Sequence, residues 1–151
     1  MEQMIDSKKT KLEMTAIISI AAKNTKSKYS YYQVYGSILK ELTMPRSIIM
    51  QLGNTVFIMH RTEQDPTVAV MRALNADTAQ NFLDSCEKFA QLAYNEYKID
   101  TIVSFYEDKT LNNVFAYVGR NQPANMGYQI ATLEDGSFRA TARLGPDIQA
   151  Q

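Results

Sequence analysis

The stretch from residue 77 to residue 98 limits the possible folds more than any other part of the chain. Phe82, Cys86, Phe89, Ala93 and Tyr97 recur every three or four residues, which puts them along one face of a helix. Asp77-Thr78-Ala79-Gln80 just before them has the form of a capping box, an acceptor followed three residues later by Gln, so the spacing predicts a helix from Asp77 to about Lys98. A helix of that length with one apolar face must cover something. The runs on either side supply it: residues 67–74 and 100–106 are strand-like, and the second, centred on Ile102-Val103, reads as a short buried strand. A strand, a long helix and another strand predict a helix packed on a sheet.

Ahead of that unit the chain reads as two helices and then strands. Residues 11–23 carry Leu12, Ala16 and Ile20, with Met14, Ile17 and Ala21, at helical spacing, although Ile17-Ile18-Ser19-Ile20 also fits a strand. Residues 30–42 repeat Tyr31, Tyr35, Ile38 and Leu42 as a helical stripe, and Pro45 closes the segment. Residues 47–52, 56–60 and 67–74 form a candidate antiparallel meander with turns at Gly53-Asn54 and Gln64-Asp65-Pro66. Met44, Met50, Met59 and Met71 lie in or beside it and are expected to fill its core. Further on, residues 111–118 read as a short helix stopped by Gly119, and residues 126–133 and 137–143 flank Glu134-Asp135-Gly136 as a hairpin. The expected class is α+β, in one domain over residues 1–151: N-terminal helices, a mixed central sheet with a three-stranded meander, a long central helix and a C-terminal hairpin. Residues 1–11 and 146–151 are polar arms without a core pattern. Such segments cannot offset the entropy of ordering by themselves, so a partner is expected to order them.

Composition removes several functions. One cysteine (Cys86) and one histidine (His60) exclude an intrachain disulfide, Cys-based zinc sites and multi-histidine metal sets. Asp84, Glu87, Glu96, Asp100, Glu107 and Asp108 lack the alternate spacing of a calcium loop, so no metal is expected. Sixteen basic and sixteen acidic residues cancel, which speaks against wholesale nucleic-acid binding. The N-terminus reads as no secretory signal, and the longest apolar run, residues 16–22, is too short to span a bilayer. A soluble protein of a reducing compartment is expected.

Asn113, Ala116 and Tyr117 on the short helix, followed by Gly127-Tyr128 leading into the hairpin, resemble the Asn-x-x-Ala helix and Gly-Phe strand start of the GCN5-related N-acetyltransferases. The order of elements is that family's too, and residues 77–144 are also similar to acetyltransferase-like virion assembly proteins of short-tailed phages. The resemblance implies an acyl-CoA N-acyltransferase-like fold. For an active member it would also imply Tyr117 as general acid and Met71, Ala73 and Asn113 along the cofactor. The chain departs from the family pattern where active members carry a Gln/Arg-x-x-Gly-x-Gly/Ala loop to cradle the coenzyme A pyrophosphate. Here that connection reads Ala73-Leu74-Asn75-Ala76-Asp77-Thr78, without glycine or a basic residue. Asp77, as the expected cap, would occupy the helix N–H groups and repel phosphate. The family's usual general base on the central strands is missing as well, because residues 68–73 contain no acid and the nearest are Glu63 and Asp77.

Other candidates have plain structural readings beside the functional ones. Tyr117 can simply pack its ring on the sheet. His60, in a strand-like run without an acid at useful spacing, reads as a structural or edge-strand histidine, and Cys86 as a small buried hydrophobe. Lys23, Lys26 and Lys28 interleave with Tyr29, Tyr31, Tyr32 and Tyr35, a pattern shared by core packing, protein interfaces and single-strand nucleic-acid binding. Tyr31 and Tyr35 belong to the helical stripe, which leaves Tyr29 and Tyr32, together with Lys8, Lys9 and Lys11 of the arm, as candidates for contacting a partner. The leading expectation is a non-enzymatic assembly protein with this fold, without cofactor, that docks on other protein subunits. It would be a phage virion component of the tail or neck, or cytoplasmic if the source is not a phage. The alternatives are a divergent N-acetyltransferase of this type and a small nucleic-acid-associated protein.

Overall fold

The computed structural model describes residues 12–25, 28–121 and 125–145. Both polar arms, including Lys8, Lys9 and Lys11, lie outside the described residues. Two helices come first, α1 (Met14–Asn24) and α2 (Tyr31–Leu42). The ambiguous Ile17–Ile20 run is thus helical: Ile17, Ile18, Ala21 and Ala22 turn one face inward. A capping box starts α2, with Ser30 Oγ accepting from Gln33 N–H and Gln33 Oε1 accepting from Ser30 N–H.

The meander follows as β1 (Ile48–Leu52), β2 (Thr55–Arg61) and β3 (Val68–Asn75), all antiparallel. Gly53 turns the first hairpin at φ +59°, and only it, of the two turn residues, is left-handed. Next come α3 (Ala79–Asn95), β4 (Thr101–Tyr106), α4 (Leu111–Asn121), β5 (Asn125–Thr132) and β6 (Phe138–Leu144). The six strands form one mixed sheet in the order β1-β2-β3-β4-β6-β5, in which β3 and β4 are parallel.

Helices cover the sheet on both faces. On one, Val34 and Ile38 of α2 join Ile17 and Ile18 of α1 over Val56, Ile58 and Leu74. On the other, α3 lays Cys86, Phe89, Ala90 and Ala93 on Phe57, Met59, Ala69 and Ile102. The rings of Phe57 and Phe89 stack with centroids 4.4 Å apart. Cys86 is buried, and desolvation pushes its thiol up to about 12, so it acts as core rather than as a nucleophile.

Four expectations need correction. The cap of α3 is Thr78 rather than Asp77, and its Oγ accepts from Asn81 N–H. The helix also ends at Asn95, short of Lys98. Lys98 takes the left-handed conformation (φ 57°) and Ile99 N–H bonds to Ala93 O, so Tyr97 reaches the core from a turn. Gly119 does not stop α4, which continues to Asn121, since a single glycine weakens a helix without ending it. Met44 is 45% exposed beyond the end of α2, whereas Met59 is buried and Met50 and Met71 pack against the core.

Candidate functional site

The parallel pairing of β3 with β4 spans three positions, Val68–Thr101, Ala69–Ile102 and Val70–Val103. Beyond Val70, β3 runs on to Asn75 bonded to β2, and β4 runs on to Tyr106 bonded to β6. Each strand follows its outer neighbour, and the sheet splits into a wedge with its apex at Val70 and Val103.

Hydrogen-bond parity shows what lines this wedge. Thr62 N–H bonds to Val68 O and Ala76 N–H to Asn54 O, so the even-numbered residues of β3 are bonded to β2. Thr67 O, of odd number, accepts instead from the β4 side, from Asp100 and Thr101 N–H. Met71 and Ala73 therefore turn their backbone groups toward β4: the Val70–Val103 pairing takes the Met71 N–H at the apex, and the Met71 C=O with the Ala73 N–H and C=O face the wedge. On the opposite wall Leu144 N–H bonds to Asp100 O, which leaves the odd-numbered Phe105 of β4 facing inward. Such paired backbone donors and acceptors are what an extended ligand needs to lie along a strand.

The two faces of the wedge differ. On the α3 face, Met71 and Ala73 pack beside the core under α3, and Ser104 is buried just past the apex. There α4 is held over the end of β4, because Tyr106 stacks between Phe115 and Phe138 and its hydroxyl donates to Asn112 Oδ1. Burial raises the Tyr106 pKa. Asn113 and Tyr117, four residues apart on α4, are both exposed. On the α2 face, Arg72 Nη1 meets Glu41 Oε1 at 2.6 Å. It is the one ion pair among the described residues, and it stands two residues along β3 from the apex, on the same face as Val70.

The β3 side of the wedge mouth is built from polar contacts. Asp77 Oδ2 accepts from Asn54 N–H at 2.8 Å, and its Oδ1 accepts from Asn81 Nδ2. Asn75 Oδ1 accepts from Asp77 N–H and Thr55 Oγ1. This anchors the β3–α3 junction to the β1–β2 turn, while Thr78 caps α3. Coenzyme A, which a fold of this type implies, meets two different halves here. The backbone of the wedge suits its pantetheine arm, but the mouth presents a carboxylate and a self-capped helix where its phosphates would come, and these do not fit it.

The remaining candidates lie elsewhere. His60 Nδ1 contacts Ser47 Oγ at 3.2 Å on β2, an interior strand and not an edge one. Tyr29 and Tyr32 are 53% and 86% exposed, while Tyr31 and Tyr35 stack and pack against the α1–α2 core. A cavity of about 460 Å³ is an open groove between α3 and β1 lined by Met50, Leu52, Leu92 and Tyr97 and shares no residue with the wedge. Among the described residues no three His, Cys, Asp or Glu side chains cluster as metal ligands, and no helix is long and apolar enough to cross a membrane. Sequence reasoning missed Glu41, because nothing in the chain signals that it meets Arg72 from 31 residues away.

Neither a family model nor a curated protein matches the sequence. Solved structures do match the fold. An uncharacterized protein from Bacillus halodurans superposes with a TM-score of 0.57 at 9% identity, over 93% of this chain and 84% of that one. A ribosomal-protein-alanine N-acetyltransferase from Escherichia coli gives 0.53 at 11% identity, covering 90% and 92%. A spermidine N-acetyltransferase chimera built from Vibrio cholerae and human sequences gives 0.51 at 9% identity, covering 88% and 93%. The fold is that of the acyl-CoA N-acyltransferases, specifically GCN5-related N-acetyltransferase-like, as the resemblance implied.

Proposed function

We propose that the chain is a divergent acyltransferase of this fold, which takes the pantetheine arm of an acyl thioester into the β3–β4 wedge and transfers the acyl group to an amine. One observation carries the reading: β3 and β4 part beyond Val70 and Val103, and past that point Ala73 on one strand and Phe105 on the other turn their backbone groups toward the gap. Backbone N–H groups there can polarise the thioester carbonyl. The amine nitrogen forms the new C–N bond, the C–S bond breaks, and the departing thiolate takes a proton, for which Tyr117 on α4 is the candidate donor. Asn113 shares its exposed face. Glu41, held by Arg72 near the apex, is the carboxylate available to receive the proton that the amine loses. Thermal unfolding with S-acetyl-pantetheine and with acetyl-CoA tests the reading. At 100 times its dissociation constant a ligand adds about 2.7 kcal/mol, so at least one thioester should give a saturable rise in Tm. No rise with either overturns it.

A second reading draws on a different observation. Thr78 caps α3 beside the bonded Asp77 carboxylate, and Tyr29 and Tyr32 stand exposed. Both features suit a scaffold without chemistry that docks on other protein subunits through its aromatic residues. A place in a phage virion belongs to this reading, and none of the similar structures described above carries a virion protein's name.

A further inference from the structure

We infer that the thioester this wedge accepts carries its acyl group on a pantetheine arm without the nucleoside diphosphate of coenzyme A. The inference rests on the acyltransferase reading and names its donor. From the apex at Val70 to Asn75, β3 runs five residues, roughly 17 Å at the usual strand rise and about the reach of an extended pantetheine arm. A donor with its thioester at the apex therefore brings its far end to the β3–α3 junction, over Asp77.

At that junction the start of α3 is partly occupied and carries a negative charge beside it. Thr78 Oγ takes Asn81 N–H, and Phe82 N–H is bonded within α3 to Thr78 O. The Asp77 carboxylate is fixed by Asn54 N–H at 2.8 Å and by Asn81 Nδ2 at 3.3 Å. It lies close against the β1–β2 turn, where a single added carbon on Gly53 would come within 2.9 Å of Asp77 Oδ2. The junction itself, residues 73–81, supplies no Lys or Arg. The junction is a hydrogen-bonded carboxylate beside a helix start whose Asn81 N–H is already taken by Thr78. It admits an amide-bearing arm and repels a polyanion.

Isothermal titration of the full chain with S-acetyl-pantetheine, S-acetyl-4′-phosphopantetheine and acetyl-CoA tests the inference and separates a free arm from a phosphate-linked one. The expected order of affinity follows falling phosphate charge, with S-acetyl-pantetheine at least about tenfold tighter than acetyl-CoA, roughly 1.4 kcal/mol. Asp77→Asn keeps an acceptor for Asn54 N–H and should reduce that ratio to about threefold or less. On the unaltered chain, raising salt from about 0.01 M to about 1 M shortens screening from about 30 Å to about 3 Å and should narrow the same ratio. Equal or tighter binding of acetyl-CoA, or a ratio unmoved by both Asp77→Asn and salt, overturns the inference and leaves the wedge standing. Binding of none of the three overturns the wedge reading as well.

Discussion

Gly53 and Asp77 show how single residues set the mouth of the wedge. Gly53 adopts φ +59°, a region where an L side chain is strained, and any Cβ there would meet Asp77 Oδ2 at 2.9 Å and Ser85 Oγ at 3.3 Å. Gly53→Ala should therefore lower stability by about 1–3 kcal/mol, read as a shift in the urea midpoint at unchanged slope. A loss below about 0.5 kcal/mol would show that the turn and the β3–α3 junction are not tied together. The sequence marks Gly53-Asn54 as a turn, and it marks Asp77 as an acceptor near a helix start. It does not show that Asn54 claims the Asp77 carboxylate and passes the cap to Thr78, because that contact joins positions 23 residues apart. Glu41 and Arg72 escape sequence reading for the same reason.

Among the elements, α3 was the most legible and its limits the least. The stripe of Phe82, Cys86, Phe89 and Ala93 announces a helix, because 3.6-residue periodicity survives any tertiary setting. Its ends depend on tertiary contacts: the bond to Asn54 at one end, the left-handed Lys98 at the other. The buried stripe also leads into Ala90 and Ser85, whose hydroxyl donates to Leu52 O. Phe89 is 2% exposed against Phe57, so Phe89→Ala should remove about 3–5 kcal/mol in equilibrium denaturation. A change under about 1 kcal/mol would mean that another face of α3 bears on the sheet.

At the scale of the whole molecule, the order of helices and strands was readable from periodicity and turn residues, and that order already pointed to the fold. The split between β3 and β4 was not. Runs such as Val68-Ala69-Val70-Met71 carry the alternation of a strand, which reports the two faces and says nothing about whether the edge is bonded. The split follows from β3 staying with β2 and β4 with β6, a competition among long-range pairings that no local window contains. The central claim is that this gap is a slot for a thioester's arm. Backbone amide shifts in an isotope-labelled chain, followed during titration with S-acetyl-pantetheine, test it most directly. The account predicts saturable changes at Met71, Ala73 and Phe105, with the groove between α3 and β1 unmoved. Changes confined to Met50, Leu52, Leu92 and Tyr97, or none at saturating ligand, would contradict it.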